Sequence, residues 1–169
     1  PGKGDDPAAF VTIAGYLSGL GLSSPRILAQ DLTHGFLLIE DLGDALFARV
    51  LDHEPAQERQ LYHAATDVLV HLQSHAAPAG LPDNSALDWA TAAAFAIDWY
   101  AFAATGDRPD KADFISVLAD AMARHADGPR VMILRDYHAE NLLHLPQRHG
   151  LAAVGLLDFQ LAQMGQPGY

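Results

Sequence analysis

The chain has 169 residues, half of them apolar, with 21 acidic against 10 basic side chains and a formal net charge of −11. That length and apolar content can bury one substantial core, while the acidic balance argues against nucleic acid or an anionic membrane surface as a partner, since both call for clustered Lys and Arg. Without cysteine there are no disulfides or thiolate metal sites, and no apolar run reaches the roughly 20 residues of a spanning helix, so a soluble cytoplasmic protein is the simplest expectation.

In chain order, Gly35 to Asp44 reads as a strand running into a polar, glycine-containing exit; taken alone this is an ordinary strand and turn. Pro55 to His75 reads as a helix, with Leu61, Ala65, Val68, Leu69 and Leu72 on one face at three- and four-residue steps, and Pro78, Gly80 and Pro82 end it. His71 and His75 stand four apart, with His63 two turns before His71. That spacing can bind zinc, but without an H-E-x-x-H pattern or a third ligand these are expected to be surface or packing histidines. A second helical stretch, Leu87 to Ala104, concentrates Trp89, Phe95, Trp99, Tyr100 and Phe102 beside Asp88 and Asp98. Such aromatics either pack helices together or face a ligand. A third helix, Lys111 to His125, carries Phe114, Val117, Leu118 and Met122 as its apolar stripe.

The densest chemistry follows. Val131 to Leu134 reads as a short buried strand, Leu142 to Leu145 as another, and Leu151 to Leu157 as a third. Between and after them stand Asp136, Asn141 and Asp158. Asp-x-x-x-x-Asn is the catalytic-loop spacing of kinases, in which the Asp takes the acceptor hydroxyl proton and the Asn carbonyl holds magnesium, while a later Asp holds the other metal. A lone D-x-x-x-x-N would more often be a turn, because Asp and Asn bond locally to the backbone. Here an apolar strand leads into Asp136, another leaves Asn141 and a third ends at Asp158-Phe159, as a hairpin presenting polar residues at its strand ends requires.

The string Arg135-Asp136-Tyr137-His138-Ala139-Glu140-Asn141-Leu142-Leu143, then Gly155-Leu156-Leu157-Asp158-Phe159-Gln160 and Ala162 to Tyr169, resembles the aminoglycoside phosphotransferase and choline kinase superfamily. Within it, the bacterial kinases that phosphorylate N-acetylmuramate and N-acetylglucosamine at the anomeric hydroxyl are most similar. The resemblance implies an α+β, protein-kinase-like fold: residues 1–42 would be the remnant of a small lobe and its hinge, and residues 43–169 a mainly helical large lobe with short catalytic hairpins. It implies ATP and Mg2+ as cofactors and a small sugar as acceptor, with Asp136 as catalytic base, His138 beside the transferring phosphate or acceptor, and Asn141 and Asp158 as metal ligands. Main-chain groups of Glu40, Asp41 and Leu42 would meet the adenine edge, and Asp98 and Trp99 would shape the acceptor pocket.

Two features depart from that family. Its usual His two residues before the catalytic Asp is Leu134 here, which leaves the loop without its common brace. The glycine-rich loop and its lysine are also absent: Pro1 to Asp6 has glycines and Lys3 but no strand before it, and Lys111 lies far along the chain. With no initiating Met, the chain is expected to be an internal piece, beginning near a helix from Asp6 to Leu20. A cationic aminoglycoside acceptor, or a catalytically silent binding module on the same scaffold, are the alternative readings.

Overall fold

The computed structural model describes residues 7–168; the Pro1 to Asp6 segment with Lys3, the Asp6 start of the first helix and the closing Tyr169 of the C-terminal motif lie outside it. Helix α1, Pro7–Gly19, leads into an antiparallel hairpin of β1, Ile27–Asp31, and β2, Phe36–Ile39. Helices α2, Phe47–His53, and α3, Glu58–Gln73, follow, then a peripheral helical group and two pairs of short strands. The architecture is mixed α+β.

Helix α3 is the central element, and its sequence dictates why. Leu61, Ala65, Val68 and Leu72 recur on one face and are 3% exposed or less, each large side chain contributing about 1.5–3 kcal/mol by leaving water. They join Ile13 and Leu17 of α1, Phe47 of α2 and a set of strand residues in one cluster. The expected hairpin forms between β4, Leu142–His144, and β5, Val154–Leu156, with Leu142 opposite Leu156. It is widened on both sides. The Leu156 N–H donates to the Ser23 carbonyl at 2.8 Å and the His144 N–H to the Ala45 carbonyl at 2.8 Å, with bridges at Ser23 to Gly155 and Leu46 to Leu143.

Three expectations are corrected. The apolar run from Leu151 is not one strand: Gly150–Ala153 is a 3₁₀ turn and only Val154–Leu156 is extended. Strand β3, Val131–Ile133, does not join that hairpin but pairs with β6, Gln163–Gly165, a segment too short and polar to read as a strand from its pattern. On α6, Ala112–His125, Phe114 and Val117 face solvent while Ile115, Leu118, Ala119 and Met122 turn inward, because the partner helix meets the adjacent row.

That partner is α4, Ala86–Ala93, whose start is fixed by a capping box in which the Ser85 hydroxyl accepts from the Asp88 N–H and the Asp88 carboxylate accepts from the Ser85 N–H. The long helix expected to Ala104 is broken. After α4 the chain winds as a π-helix, Ala96–Ala101, and ends in α5, Phe102–Thr105, so that Phe95, Trp99 and Tyr100 are each more than 60% exposed.

Tight packing at the hairpin yields a stability test. A methyl at Gly155 would stand 2.9 Å from Leu143 Cβ and 3.2 Å from Leu145 Cδ1, both in buried side chains, so Gly155→Ala is expected to lower stability by about 1–3 kcal/mol. Gly15 lies on the exposed side of α1 with nothing near its missing Cβ; Gly15→Ala should raise stability by about 0.5–1 kcal/mol. Urea unfolding midpoints of the two variants should therefore move in opposite directions.

Candidate functional site

Strand β3 delivers the chain into Leu134, which is buried, and then into Arg135 at φ 66° and the exposed Asp136. The loop returns through a turn in which the Asn141 N–H donates to the His138 carbonyl at 2.8 Å. Asn141 then closes it: its Nδ2 donates to the Asp136 carbonyl at 2.9 Å, and its own carbonyl accepts the Leu157 N–H at 3.0 Å. Because Leu142 and Leu156 are register partners, Asn141 and Leu157-Asp158 sit at one end of the β4–β5 hairpin. Asp136, Asn141 and Asp158, spread over 23 residues of sequence, are thereby assembled by two hydrogen bonds and one register.

Arg135 and Asp158, at φ 54°, are the non-glycine residues with positive φ among those described. Each such conformation carries strain of order 1–3 kcal/mol and persists only where its surroundings enforce it. At Asp158 the enforcement is visible on both sides. Phe159 is buried and stacks on Phe10 of α1 with centroids 4.9 Å apart, and Gln160 Nε2 donates to Asp158 Oδ1 at 2.6 Å.

Leu134 leaves the loop without a polar brace from behind, and Tyr137, which the sequence did not single out, supplies one. Its hydroxyl donates to the Ala65 carbonyl of α3 at 2.8 Å, and burial pushes its pKa well above the usual tyrosine range, so it stays a neutral donor. His138 is exposed and leans on the loop, with Nδ1 3.3 Å from the Glu140 N–H and Nε2 3.4 Å from Asn141 Nδ2. A neutral imidazole carries one N–H and cannot accept from both groups, so one of these long contacts yields to the other. The Asp136 carboxylate makes no hydrogen bond or ion pair among the described residues.

The segment after β2 is tied down through side chains. The Glu40 N–H donates to the Arg26 carbonyl at 2.8 Å, and the Gly43 N–H closes an Asx turn on Asp41 Oδ1 at 2.7 Å. The half-buried Glu40 carboxylate accepts from Arg26 Nε at 3.1 Å and from Arg148 at 2.9 Å, and Arg148 also donates to Ser23 at 2.8 Å. Burial favours the neutral acid at Glu40, but the Arg26 hydrogen bonds and the charges of Arg26 and Arg148 outweigh it and hold the carboxyl below its ordinary value. Leu42 is half-buried and its Cδ1 approaches the Gly155 position.

Asp98 and Trp99 lie on the π-helix, Ala96–Ala101. Lys111 Nζ pairs with Asp98 at 2.5 Å, and the Arg108 guanidinium lies 5.6 Å from the Trp99 ring and 4.3 Å from Phe102, which gives both residues protein partners. Asp88, too, is occupied by its cap, whose Ser85 bonds hold the carboxyl below its ordinary value. The cavity that does border the loop, about 440 Å3, is lined by Arg135 and Gln160 but by neither Asp98 nor Trp99. His71, considered for zinc, turns a ring nitrogen to the Leu20 carbonyl at 3.0 Å.

A hard divalent cation is met best by oxygen donors. Asn141 spends its side-chain nitrogen on Asp136 and its main-chain carbonyl on Leu157, which leaves its side-chain Oδ1 for a ligand, and Gln160 engages one oxygen of Asp158, which leaves the other. The donor set fits magnesium.

The model of the phosphotransferase enzyme family matches residues 4–169. The chain is 37% identical over 174 residues to an N-acetylmuramate/N-acetylglucosamine kinase of Caulobacter vibrioides, covering 95% of this chain and 47% of that protein. It is 33% identical to the Pseudomonas aeruginosa protein of the same name, over 100% of this chain and 49% of that one. A Pseudomonas putida protein, again so named, is 29% identical over 95% of this chain and 46% of its own length. The chain thus spans about half the length of the curated relatives it matches.

Two measurements test the bracing. Tyr137→Phe should lower stability by about 0.5–1.5 kcal/mol, the net worth of its hydrogen bond, in urea unfolding. Because the folded-state pKa of Glu40 is lowered, its contribution is complete above the ordinary glutamate value of about 4.3 and is lost as pH falls through the lower folded value. The stability gap between the unaltered chain and Arg148→Met should therefore be constant from neutral pH down to about pH 5 and shrink below about pH 4.

Proposed function

The chain belongs to the phosphotransferase enzyme family, and on that premise we propose that the whole protein transfers the γ-phosphoryl group of ATP to a hydroxyl of a small amino sugar, such as N-acetylmuramate or N-acetylglucosamine. The observation that carries this reading is the double anchorage of Asn141, to the Asp136 carbonyl and the Leu157 N–H, which supports a single site made from Asp136, Asn141 and Asp158. The names of the relatives in three bacteria support the acceptor class.

In this reading residues 7–42 form the end of a small lobe and its hinge, and residues 43–168 belong to the larger lobe of a kinase-like fold. The Asp136 carboxylate, without a partner among the described residues, orients the acceptor O–H and takes its proton as the oxygen attacks the γ-phosphorus and the bond to the ADP oxygen breaks. Asn141 and Asp158 would hold Mg2+, which when bound would neutralise charge on the phosphates. Main-chain groups of Asp41 and Leu42 meet the adenine edge, with Glu40 fixing their height through Arg26 and Arg148. His138 positions the loop around Asn141. Asp98 and Trp99, held by Lys111 and Arg108, would shape the acceptor pocket from the peripheral helical group.

Phosphorus NMR of the full-length protein with Mg-ATP and, separately, N-acetylmuramate, N-acetylglucosamine and kanamycin tests the reading. An anomeric sugar phosphate is expected, its rate of formation reduced about 10²–10⁴-fold in Asp136→Asn. Phosphorylated kanamycin would move the protein to the antibiotic-modifying branch. Absence of every product, together with nucleotide binding indifferent to Asp158→Asn, would favour a silent scaffold.

A further inference from the structure

Among the described residues the Asp158 carboxylate accepts a hydrogen bond from Gln160 Nε2, at 2.6 Å to Oδ1, and forms no ion pair, so that its Oδ2 stays open. An Arg or Lys in that place would orient the carboxylate equally well but would spend its charge inside the protein. A neutral amide orients it and leaves the charge whole. The backbone that carries the amide is fixed. Gln160 is the second residue of a turn closed by the Ala162 N–H, which donates to the Phe159 carbonyl at 3.0 Å. Phe159 and Ala162, at the two ends of that turn, are buried, Phe159 stacks on Phe10, and Asp158 is held at φ 54° immediately before it.

We propose that Gln160 is a positioning residue that holds Asp158 as a one-oxygen ligand and thereby selects Mg2+ over Ca2+. The inference rests on the reading of Asp158 as a metal ligand given above. Mg2+ is small and demands near-ideal octahedral geometry, whereas Ca2+ is larger, accepts more oxygens and takes a carboxylate through one oxygen or both. With Oδ1 engaged by Gln160, chelation through both oxygens has to break the amide bond, while binding through Oδ2 alone keeps it. Asp158 therefore offers the mode that suits the smaller ion. The same bond limits rotation of the carboxylate, as the outer hydrogen-bond partners of metal ligands generally do. Methionine in place of Gln160 has a similar length and no donor. It frees Oδ1 and releases the carboxylate, which penalises Mg2+ and relaxes the discrimination against Ca2+.

Isothermal titration calorimetry of the full-length protein tests this by following a non-hydrolysable ATP analogue in EDTA and at a series of Mg2+ or Ca2+ concentrations, which yields the apparent affinity for each metal. The unaltered protein is expected to favour Mg2+. Gln160→Met should lower the apparent Mg2+ affinity about 10–100-fold, lower that for Ca2+ less, and leave analogue binding in EDTA unchanged. Gln160→Ala should behave in the same way. An undiminished preference for Mg2+ in both variants would overturn the proposal, as would a preference for Ca2+ in the unaltered protein. So would an equal loss with Mg2+, with Ca2+ and in EDTA, which is the mark of a residue that merely supports the fold. Asp158→Asn separates this inference from the reading beneath it. Metal dependence lost in Asp158→Asn but untouched by both Gln160 variants removes only the role of Gln160. Metal dependence indifferent to Asp158→Asn, or no binding of the analogue under any condition, removes the metal site and this proposal with it.

Discussion

Two hydrogen bonds at one residue, from the side-chain amide of Asn141 to the Asp136 carbonyl and from the Leu157 N–H to the main-chain carbonyl of Asn141, join the two loops that bear acidic groups. Each loop alone would be a surface turn with an exposed carboxylate. Tied at Asn141, they share one end of a buried hairpin and inherit its rigidity. The amide carries this load with its nitrogen, so its oxygen stays available, and a carboxylate in its place could not donate at all.

The scaffold beneath is apolar and close-packed. Gly155 lets Leu143, Leu145 and Leu42 approach the hairpin, and Tyr137 fastens the first loop to the central helix. Phe159, next to Asp158, stacks on Phe10 of α1. The strained backbone of Asp158 is therefore held between an aromatic pair on one side and a hairpin end on the other. Arg148 extends the same frame to the segment after β2, joining Glu40 and Ser23 across more than a hundred residues of sequence.

Charge is distributed with similar economy. Glu40, Asp88 and Asp98 each have a protein partner in an arginine pair, a helix cap or a lysine. Asp136 and Arg135 are adjacent in sequence, opposite in charge, and without such partners among the described residues. Groups left free at the mouth of a tightly braced loop are available to molecules from solution, whereas the exposed aromatics on the π-helix are flanked by Arg108 and Lys111.

The amino-acid sequence by itself determined what depends on local order and on side-chain chemistry. The apolar face of α3, the hairpin around Asn141 and Asp158, and the identities of the acidic groups are all written in spacings of a few residues, because helical and strand periodicities act over that range. It could not determine which row of α6 turns inward, since Phe114 and Val117 are as apolar as Ile115 and Leu118 and only contact with α4 separates them. Nor did it disclose that Tyr137 replaces the absent brace, that Arg148 reaches Glu40, that Lys111 claims Asp98, or that Gln163 lines a cavity with Arg135. Those were decided by tertiary structure, because a hydrogen bond or ion pair between residues tens of positions apart leaves no periodic trace in the chain and exists only when packing brings donor and acceptor within about 3 Å.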